Sequence, residues 1–213
     1  MEIPLARFSA LLDRSWRLAS ARRRILGITG APAAGKSTLA ERLVAELNDA
    51  RPGTAALVGM DGFHLAQAEL ERLGIAERKG APHTFDGHGY VALLQRLRAN
   101  DDPVVYAPLF RREIEEPVAC AVPVGRDVPL VVTEGNYLLG AEGVWAGIRP
   151  LLDEVWYVDL PDTVRRERLA RRHEDFGRTR EQAWARALGS DERNAEVVRS
   201  TRDRADVVVT SPA

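Results

Sequence analysis

The chain contains one cysteine, Cys120, and no apolar run of the length that a membrane-spanning helix needs. A single cysteine excludes an internal disulfide and is typical of a reducing compartment, so we expect a cytoplasmic protein. A spanning helix needs about 20 predominantly apolar residues, and we therefore expect no membrane partner. Residues 1–24 also lack the apolar core of a signal peptide, because Arg7, Asp13 and Arg14 interrupt them.

Lysine is scarce, and an excess of charge of either sign is missing. The 213 residues carry 30 basic and 31 acidic side chains, which gives a net charge of −1. A duplex-binding protein carries a strongly basic face, so we expect no nucleic-acid partner. Only two of the basic residues, Lys36 and Lys79, are lysines. Because lysine is a compact point charge and arginine a planar fork, the two lysines indicate places where the ammonium group matters.

Five short apolar runs are spread along the chain, and each is apolar on both faces. They are Ile25–Thr29, Ala55–Met60, Leu130–Thr133, Val155–Val158 and Val207–Val209. Strands of a parallel sheet that is covered on both sides have this pattern. Helical patterns separate most of the runs, which predicts βαβ units. The sequence therefore predicts an α/β fold with a central, mainly parallel sheet flanked by helices.

Helical spacing of apolar residues predicts six helices. They are an N-terminal amphipathic helix within residues 1–22, then Lys36–Leu47, Gly89–Ala99, Val164–His173, Glu181–Leu188 and Asp191–Ser200. Asp101–Arg126 carries four prolines and is predicted to be an irregular surface segment beside the functional cleft. Because no long linker divides the chain, we expect one domain over residues 1–213.

The first apolar run leads into a glycine-rich segment of the form G-x-x-x-x-G-K-[ST]. Its residues are Gly30, Ala31, Pro32, Ala33, Ala34, Gly35, Lys36, Ser37 and Thr38. This segment between a strand and a helix is the P-loop pattern, in which backbone N–H groups and the helix N-terminus cradle phosphates. Lys36 would reach the β- and γ-phosphates, and the Ser37 hydroxyl would ligate Mg²⁺.

A P-loop predicts nucleotide binding and leaves the reaction open. GTPases need an N-K-x-D guanine motif, which is missing, and Asp86-Gly87-His88-Gly89 fits the D-x-x-G pattern only weakly. ABC-type ATPases need a larger domain and a signature loop that this chain lacks. The remaining classes are an ATP-dependent kinase that acts on a small molecule or nucleotide, and an ATP-dependent switch that acts on a partner.

Two acidic residues directly follow predicted strands. Asp61 comes after Ala55–Met60, and Glu134 comes after Leu130–Thr133. In an open parallel sheet, ligands bind beyond the carboxyl ends of the strands, so both carboxylates should face the γ-phosphate. One would accept the proton of an attacking hydroxyl and the other would hold Mg²⁺.

Further segments match the motifs of a known group of kinases. Asp61-Gly62-Phe63-His64 resembles the D-G-F segment of bacterial-type pantothenate kinases, and Lys79-Gly80-Ala81-Pro82 with Phe85-Asp86 resembles their K-G-x-P-x-x-Y-D segment. Pro103-Val104-Val105-Tyr106 is similar to their P-x-Y segment, Glu134-Gly135-Asn136 to the E-G after the third strand, and Thr201–Asp206 to the uridine kinase T-K-K-Y-A-D segment. Over about residues 24–210 the chain thus resembles the phosphoribulokinase, uridine kinase and pantothenate kinase superfamily of P-loop kinases.

The resemblance implies a role for individual residues. It implies that Asp61 is the catalytic base and that ATP is the phosphoryl donor, which leaves Glu134, at the other strand end, to help Ser37 to hold Mg²⁺. It also implies a helical lid over residues 161–190 that closes on ATP. Its phosphate-contacting arginines would be Arg168, Arg171 and Arg178, of which Arg168 and Arg171 are the expected catalytic pair. The candidates on the acceptor side are His64, His83, Tyr106, Arg111 and Arg112.

Two departures from the family motifs bear on the acceptor. Pro108 stands where pantothenate kinases carry a histidine, and His83 stands where uridine kinases carry the aspartate that binds the ribose diol. Bacterial proteins known as sugar kinases of fructose transport operons are also similar to this chain. We therefore expect transfer to a hydroxyl of a sugar or similar alcohol, with uridine-type or pantothenate-type acceptors and a switch as alternatives. A homodimer is compatible with these motifs.

Overall fold

The computed structural model describes residues 1–19 and 22–211 of the chain. The strands of this part are β1 (Glu2–Pro4), β2 (Arg24–Thr29), β3 (Ala55–Gly59), β4 (Val104–Arg111), β5 (Glu116–Gly125), β6 (Leu130–Glu134), β7 (Glu154–Asp159) and β8 (Val207–Thr210). Six of them form one parallel sheet in the order β1-β8-β7-β2-β6-β3, and β4 and β5 form a separate antiparallel hairpin. The predicted α/β fold with a parallel sheet is confirmed.

The helices of the described residues are α1 (Phe8–Leu18), α2 (Lys36–Ala50), α3 (Gln67–Arg72), α4 (Gly87–Ala99), α5 (Asp162–Asp175), α6 (Arg180–Leu188) and α7 (Ser190–Arg199). All six predicted helices are present, with ends that shift by a few residues, and the short α3 was not predicted. Residues 20–21 of the predicted N-terminal segment and residues 212–213 of the predicted domain lie outside the described residues. None of the helices in residues 1–19 and 22–211 has the length and apolar character to cross a bilayer.

Side chains of the central strands alternate between two apolar clusters, one on each face of the sheet. Ile25 and Val131 belong to one cluster, and their neighbours Leu26 and Val132 belong to the other. Helices α1 and α2 cover the second face, whereas α4 and the hairpin cover the first. Because both faces are buried, the strands need no polar side, which explains their continuous apolar runs.

The structure corrects the prediction for Asp101–Arg126. This stretch forms the β4–β5 hairpin rather than an irregular segment, although it does lie beside the cleft described below. Each strand of a two-stranded ribbon has an edge that needs no hydrogen-bonded partner, so the ribbon tolerates proline. Pro108 lies where the register shifts between Ala107 and Leu109. The prolines therefore led to the wrong prediction of an irregular segment, because a two-stranded hairpin can contain them.

Strand β1 was also missed. Its three residues extend the sheet at the edge, where Ile3 pairs with Val209 of β8. A segment this short shows no periodicity, so only its pairing identifies it as a strand.

Helices α5, α6 and α7 follow β7 and include the predicted lid, residues 161–190. Helices α5 and α6 pack through Leu169, Ala170 and Ala187, which form a small cluster separate from the two clusters of the sheet. Two statements stay predictions: the chain forms a single domain, and residues 161–190 act as its lid.

The five arginines of α5, at positions 165, 166, 168, 171 and 172, have different roles. Arg165 is buried and donates hydrogen bonds to Asp162, at 3.0 Å, and to Glu192 of α7. Arg166 forms a bidentate ion pair with the same Glu192, and hydrogen bonds from Arg166, Arg165 and Arg199 lower the pKa of Glu192 to about 2. Arg165 and Arg166 therefore join α5 to α7, and only the later arginines of α5 can serve the site.

Candidate active site

The glycine-rich segment makes the turn between β2 and α2. Gly30 has a φ of 151°, and a Cβ atom there would lie 2.6 Å from the carbonyl oxygen of Val158. Gly35 has a φ of 96° directly before the first residue of α2. Both positions therefore require glycine. Because the first N–H groups of a helix have no partner within the helix, the turn presents donors to an anion.

Lys36 is the first residue of α2, and its side chain is buried against the loop. Its ammonium group donates a hydrogen bond to the Ala31 carbonyl oxygen at 3.1 Å, and only 8% of the residue is exposed. Burial lowers the pKa of Lys36 to about 8, although Glu134 and Asp61 oppose this shift. An anionic phosphate beside the ammonium would stabilise its charged form, as a P-loop lysine requires.

Glu134 ends strand β6 and lies against the P-loop. Burial, assisted by the nearby Asp61, raises the pKa of Glu134 to about 7, whereas the Lys36 and Ser37 side chains oppose this shift. Mg²⁺ in kinase sites takes one or two carboxylates in addition to substrate phosphates. The Ser37 hydroxyl and the Glu134 carboxylate fit that requirement. No cluster of three His, Cys, Asp or Glu side chains that could hold a metal by itself occurs among the described residues.

Asp61 lies in the 3₁₀ turn Met60–Phe63, directly after β3. Because β3 pairs with β6 so that Gly59 lies opposite Glu134, the two acids meet at the same edge of the sheet. Arg112, from the tip of the β4–β5 hairpin, donates a hydrogen bond to Asp61 Oδ2 at 2.9 Å. The Asp61 side chain is 28% exposed, so its carboxylate is open to the cleft.

His64 follows the same turn, and its ring is packed between two aromatic rings. The centroid of the His64 ring lies 4.0 Å from the centroid of the Phe85 ring and 4.9 Å from that of the Phe110 ring. Nδ1 lies 2.9 Å from the Asp61 carbonyl oxygen, which can only accept, so we assign the proton to Nδ1. Burial lowers the pKa of His64. The neutral ring therefore has Nε2 as a hydrogen-bond acceptor.

One cleft with a volume of about 730 Å³ collects these groups. Lys36, Ser37 and Glu134 line its P-loop side, and Asp61 and His64 line it next to the hairpin. Two carboxylates, a buried ammonium and the P-loop amides thus face one space. This arrangement can bind a nucleotide and present its terminal phosphate to a hydroxyl next to Asp61.

The lid contributes four arginines to the cleft: Arg168 and Arg172 of α5, Arg178, and Arg186 of α6. Arg168 and Arg172 are four residues apart on α5 and therefore share a helix face. The structure does not bring Arg171 to the cleft, since it lines a separate depression with Trp184. The expectation for Arg171 is corrected, and Arg172 occupies the cleft instead.

The acceptor-side candidates divide in a similar way. His64 and Arg112 line the cleft. His83, Tyr106 and Arg111 are exposed and lie outside its lining. Arg111 is the last residue of β4 and Arg112 is the first residue of the hairpin turn, and of the two only Arg112 lines the cleft.

Some lining residues were not predicted as site residues. They include Gln67, Lys79, Phe110, Arg172 and Arg186. The spacing of four residues from Arg168 could have identified Arg172. Lys79 carried a signal as the second of the two lysines. Gln67, Phe110 and Arg186 come from α3, the hairpin and α6, and only the tertiary fold brings them together.

A comparison with models of known protein families gives no match. Among known proteins, the chain is similar to a candidate uridine kinase from Schizosaccharomyces pombe, with 32% identity over 95% of this chain and 89% of the relative. It is 30% identical to a pantothenate kinase from Leifsonia xyli subsp. xyli over 89% of this chain and 66% of the relative. The crystal structure of a candidate fructose transport system kinase from Silicibacter sp. TM1040 matches with a TM-score of 0.85 at 35% identity, covering 94% of this chain and 98% of that chain. The likeness therefore extends well beyond the P-loop.

Proposed function

This chain belongs to the phosphoribulokinase, uridine kinase and pantothenate kinase superfamily of P-loop kinases, and we propose that it transfers the γ-phosphoryl group of ATP to a hydroxyl of a sugar or similar small alcohol. As a member of a P-loop kinase family it is an enzyme with a small-molecule hydroxyl acceptor. The proposal adds the acceptor class, the residues that act on it, and the use of ATP with Mg²⁺.

One observation carries the proposal: Asp61 and the P-loop open into the same cleft. A protein that only bound ATP would need no carboxylate placed to receive the proton of an attacking group. Asp61 lies at the edge where β3 and β6 end, next to Glu134 and therefore next to the expected position of the γ-phosphate. This juxtaposition is what a hydroxyl acceptor needs.

The residues have distinct tasks in the transfer. The acceptor oxygen forms a bond to the γ-phosphorus while the bond between that phosphorus and the bridging oxygen of ATP breaks, and the hydroxyl proton moves to Asp61. Lys36 and the loop amides bind the phosphates, and Ser37 and Glu134 would hold Mg²⁺, which would neutralise part of the phosphate charge. Arg168 and Arg172 stabilise the transferred group and help to exclude water, which would compete as acceptor.

Arg112 has to share Asp61 with the acceptor. Its guanidinium occupies Asp61 Oδ2 at 2.9 Å. A carboxylate has two oxygens, so Asp61 Oδ1 can receive a hydroxyl while Oδ2 keeps its partner. Arg112 would then fix the orientation of the base, and His64 Nε2 could accept a hydrogen bond from a second hydroxyl of the same acceptor.

An acceptor screen with ATP and Mg²⁺ tests the proposal. The panel contains sugars, polyols and their acids and phosphates, together with uridine and pantothenate. ADP formation and the mass of the acceptor are measured in parallel, with Lys36→Ala as the inactive control. We expect one alcohol to gain a phosphoryl group at a rate that matches ADP formation. ADP formed equally with and without every alcohol would favour a switch and contradict the proposal.

A further inference from the structure

Lys79 occupies the cleft beside α3 and the tip of the hairpin. Its ammonium group donates hydrogen bonds to the Glu115 carbonyl oxygen at 2.7 Å and to Gln67 Oε1 at 3.4 Å. Both partners are uncharged oxygens, and in the described part of the chain no carboxylate forms an ion pair with Lys79. A cation with only neutral partners in a partly closed cleft is a good site for an anionic ligand.

Arg112 approaches the same aromatic ring as this ammonium group. Lys79 Nζ is 5.6 Å and Arg112 Cζ is 5.2 Å from the centroid of the same ring, Phe110, which also packs against His64. The charges of Lys79 and Arg112 both add to the effect of burial in lowering the pKa of His64. Positively charged side chains therefore line the cleft on both sides of Asp61, the proposed point of transfer, with Lys36 on the phosphate side and Lys79 on the acceptor side.

Arg186 of α6 supplies a third cation at this end. Its Nη2 donates to the carbonyl oxygen of Lys79 at 3.3 Å. Glu77 and Glu115 also line the cleft, but their side chains are exposed, and neither pairs with Lys79 or Arg186 within the described residues. The phosphates of ATP account for the cations near Lys36, and Asp61 accounts for Arg112, whereas Lys79 and Arg186 have no such partner among the described residues.

We propose that the acceptor is an anionic alcohol whose carboxylate or phosphate group binds to Lys79 beside Arg112, while its reacting hydroxyl lies at Asp61. This inference rests on the proposed kinase function and narrows its acceptor class. A neutral alcohol would leave Lys79 with its carbonyl and amide partners only. An anionic group forms charge-assisted hydrogen bonds there, which are stronger than neutral ones.

Binding measurements test this inference independently of turnover. Matched sets of a polyol, its aldonate and its terminal phosphate, from three to six carbon atoms, are titrated by calorimetry into the protein. An unreactive ATP analogue with Mg²⁺ saturates the P-loop, so that the anions do not bind there. The variants are Lys79→Met and, as a matched control, Arg78→Met, which removes an exposed cation that does not line the cleft.

We expect at least one anion to bind about 10-fold or more tightly than its neutral polyol. Lys79→Met should abolish most of this preference and leave the weak binding of the polyol unchanged, whereas Arg78→Met should retain the preference. The two anion series distinguish a carboxylate from a phosphate. The inference would be overturned if the three compounds bound equally or if neither anion bound. It would also be overturned if Lys79→Met kept the preference for the anion over the polyol.

Turnover of the same compounds separates the two proposals. A neutral polyol phosphorylated better than both of its anions would retain the kinase function and reject the anionic acceptor. Selective binding of an anion without phosphoryl transfer to it or to any other alcohol would retain the subsite and reject the kinase function.

Discussion

The two halves of the cleft are built in different ways. The phosphate half, as we propose it, is one continuous segment, residues 30–38, whose turn requires glycine at positions 30 and 35. The acceptor half is formed by side chains from the turn after β3, the 76–80 segment, the hairpin and the lid. A main-chain site recognises the phosphates common to all nucleotides, while a side-chain site can change its specificity by single substitutions.

The largest expected effect comes from removing the ammonium group of the phosphate half. Lys36→Ala should lower kcat/KM by about 10³-fold, because a charge directed at the transferred phosphates is lost from a site that excludes water. Steady-state kinetics measure this loss, and a thermal melt shows that the variant is folded. Activity near that of the wild type would show that the P-loop side is not organised as described.

Asp61→Asn tests the junction of the two halves. We expect kcat to fall by about 10²-fold or more, because the amide cannot take the hydroxyl proton. ATP affinity, measured by fluorescence titration with a labelled analogue, should change little, since Asp61 acts on the acceptor. If turnover survives, Asp61 is not the base; if ATP affinity collapses as well, it belongs to the phosphate half.

A matched pair of lid variants tests the correction made by the structure. Arg172→Met should lower kcat by about 10-fold or more, because it removes a cation from the cleft. Arg171→Met should leave kcat nearly unchanged, since this residue lies on another face of α5. The reverse order of effects would contradict the placement of Arg172 in the cleft and of Arg171 outside it.

The smallest effect concerns pH. The pKa of Lys36 is lowered to about 8 by burial, so its charged form predominates below that pH and is lost above it. We expect the KM for ATP to rise as pH increases through about 8, because the neutral amine binds phosphate less well. The Lys36→Arg variant keeps its charge throughout this range and serves as the control. A KM that is flat for the wild type and for Lys36→Arg alike would contradict this account of Lys36.

The same division explains what the sequence could predict. The five buried strands, the P-loop and the acids Asp61 and Glu134 follow from local patterns: apolar runs, a fixed spacing, and the ends of parallel strands. The choice between Arg171 and Arg172 depends on how α5 is rotated against the cleft, and the four-residue spacing gives that choice only once Arg168 is known to face the cleft. The contacts of Lys79 with Gln67 and Glu115 join segments far apart in the chain, and no local pattern encodes such contacts.

The hairpin shows the limit of local rules most clearly. Its prolines predicted an irregular segment, yet β4 and β5 pair over most of their length and place Phe110 and Arg112 in the cleft. Proline is disfavoured in the middle of a sheet but is tolerated in a two-stranded ribbon. Whether a strand lies in the middle of a sheet or in a ribbon depends on the number of its neighbouring strands, and that number is a property of the whole fold.

The most direct test of the shared cleft is a crystal structure with an unreactive ATP analogue, Mg²⁺ and the best acceptor of the screen. The account predicts the analogue's phosphates on the loop at Gly30–Thr38 and an acceptor hydroxyl within about 2.6–3.2 Å of the Asp61 carboxylate, facing the terminal phosphate. An acceptor bound outside this cleft, or a hydroxyl turned away from Asp61 with the nucleotide in place, would contradict it.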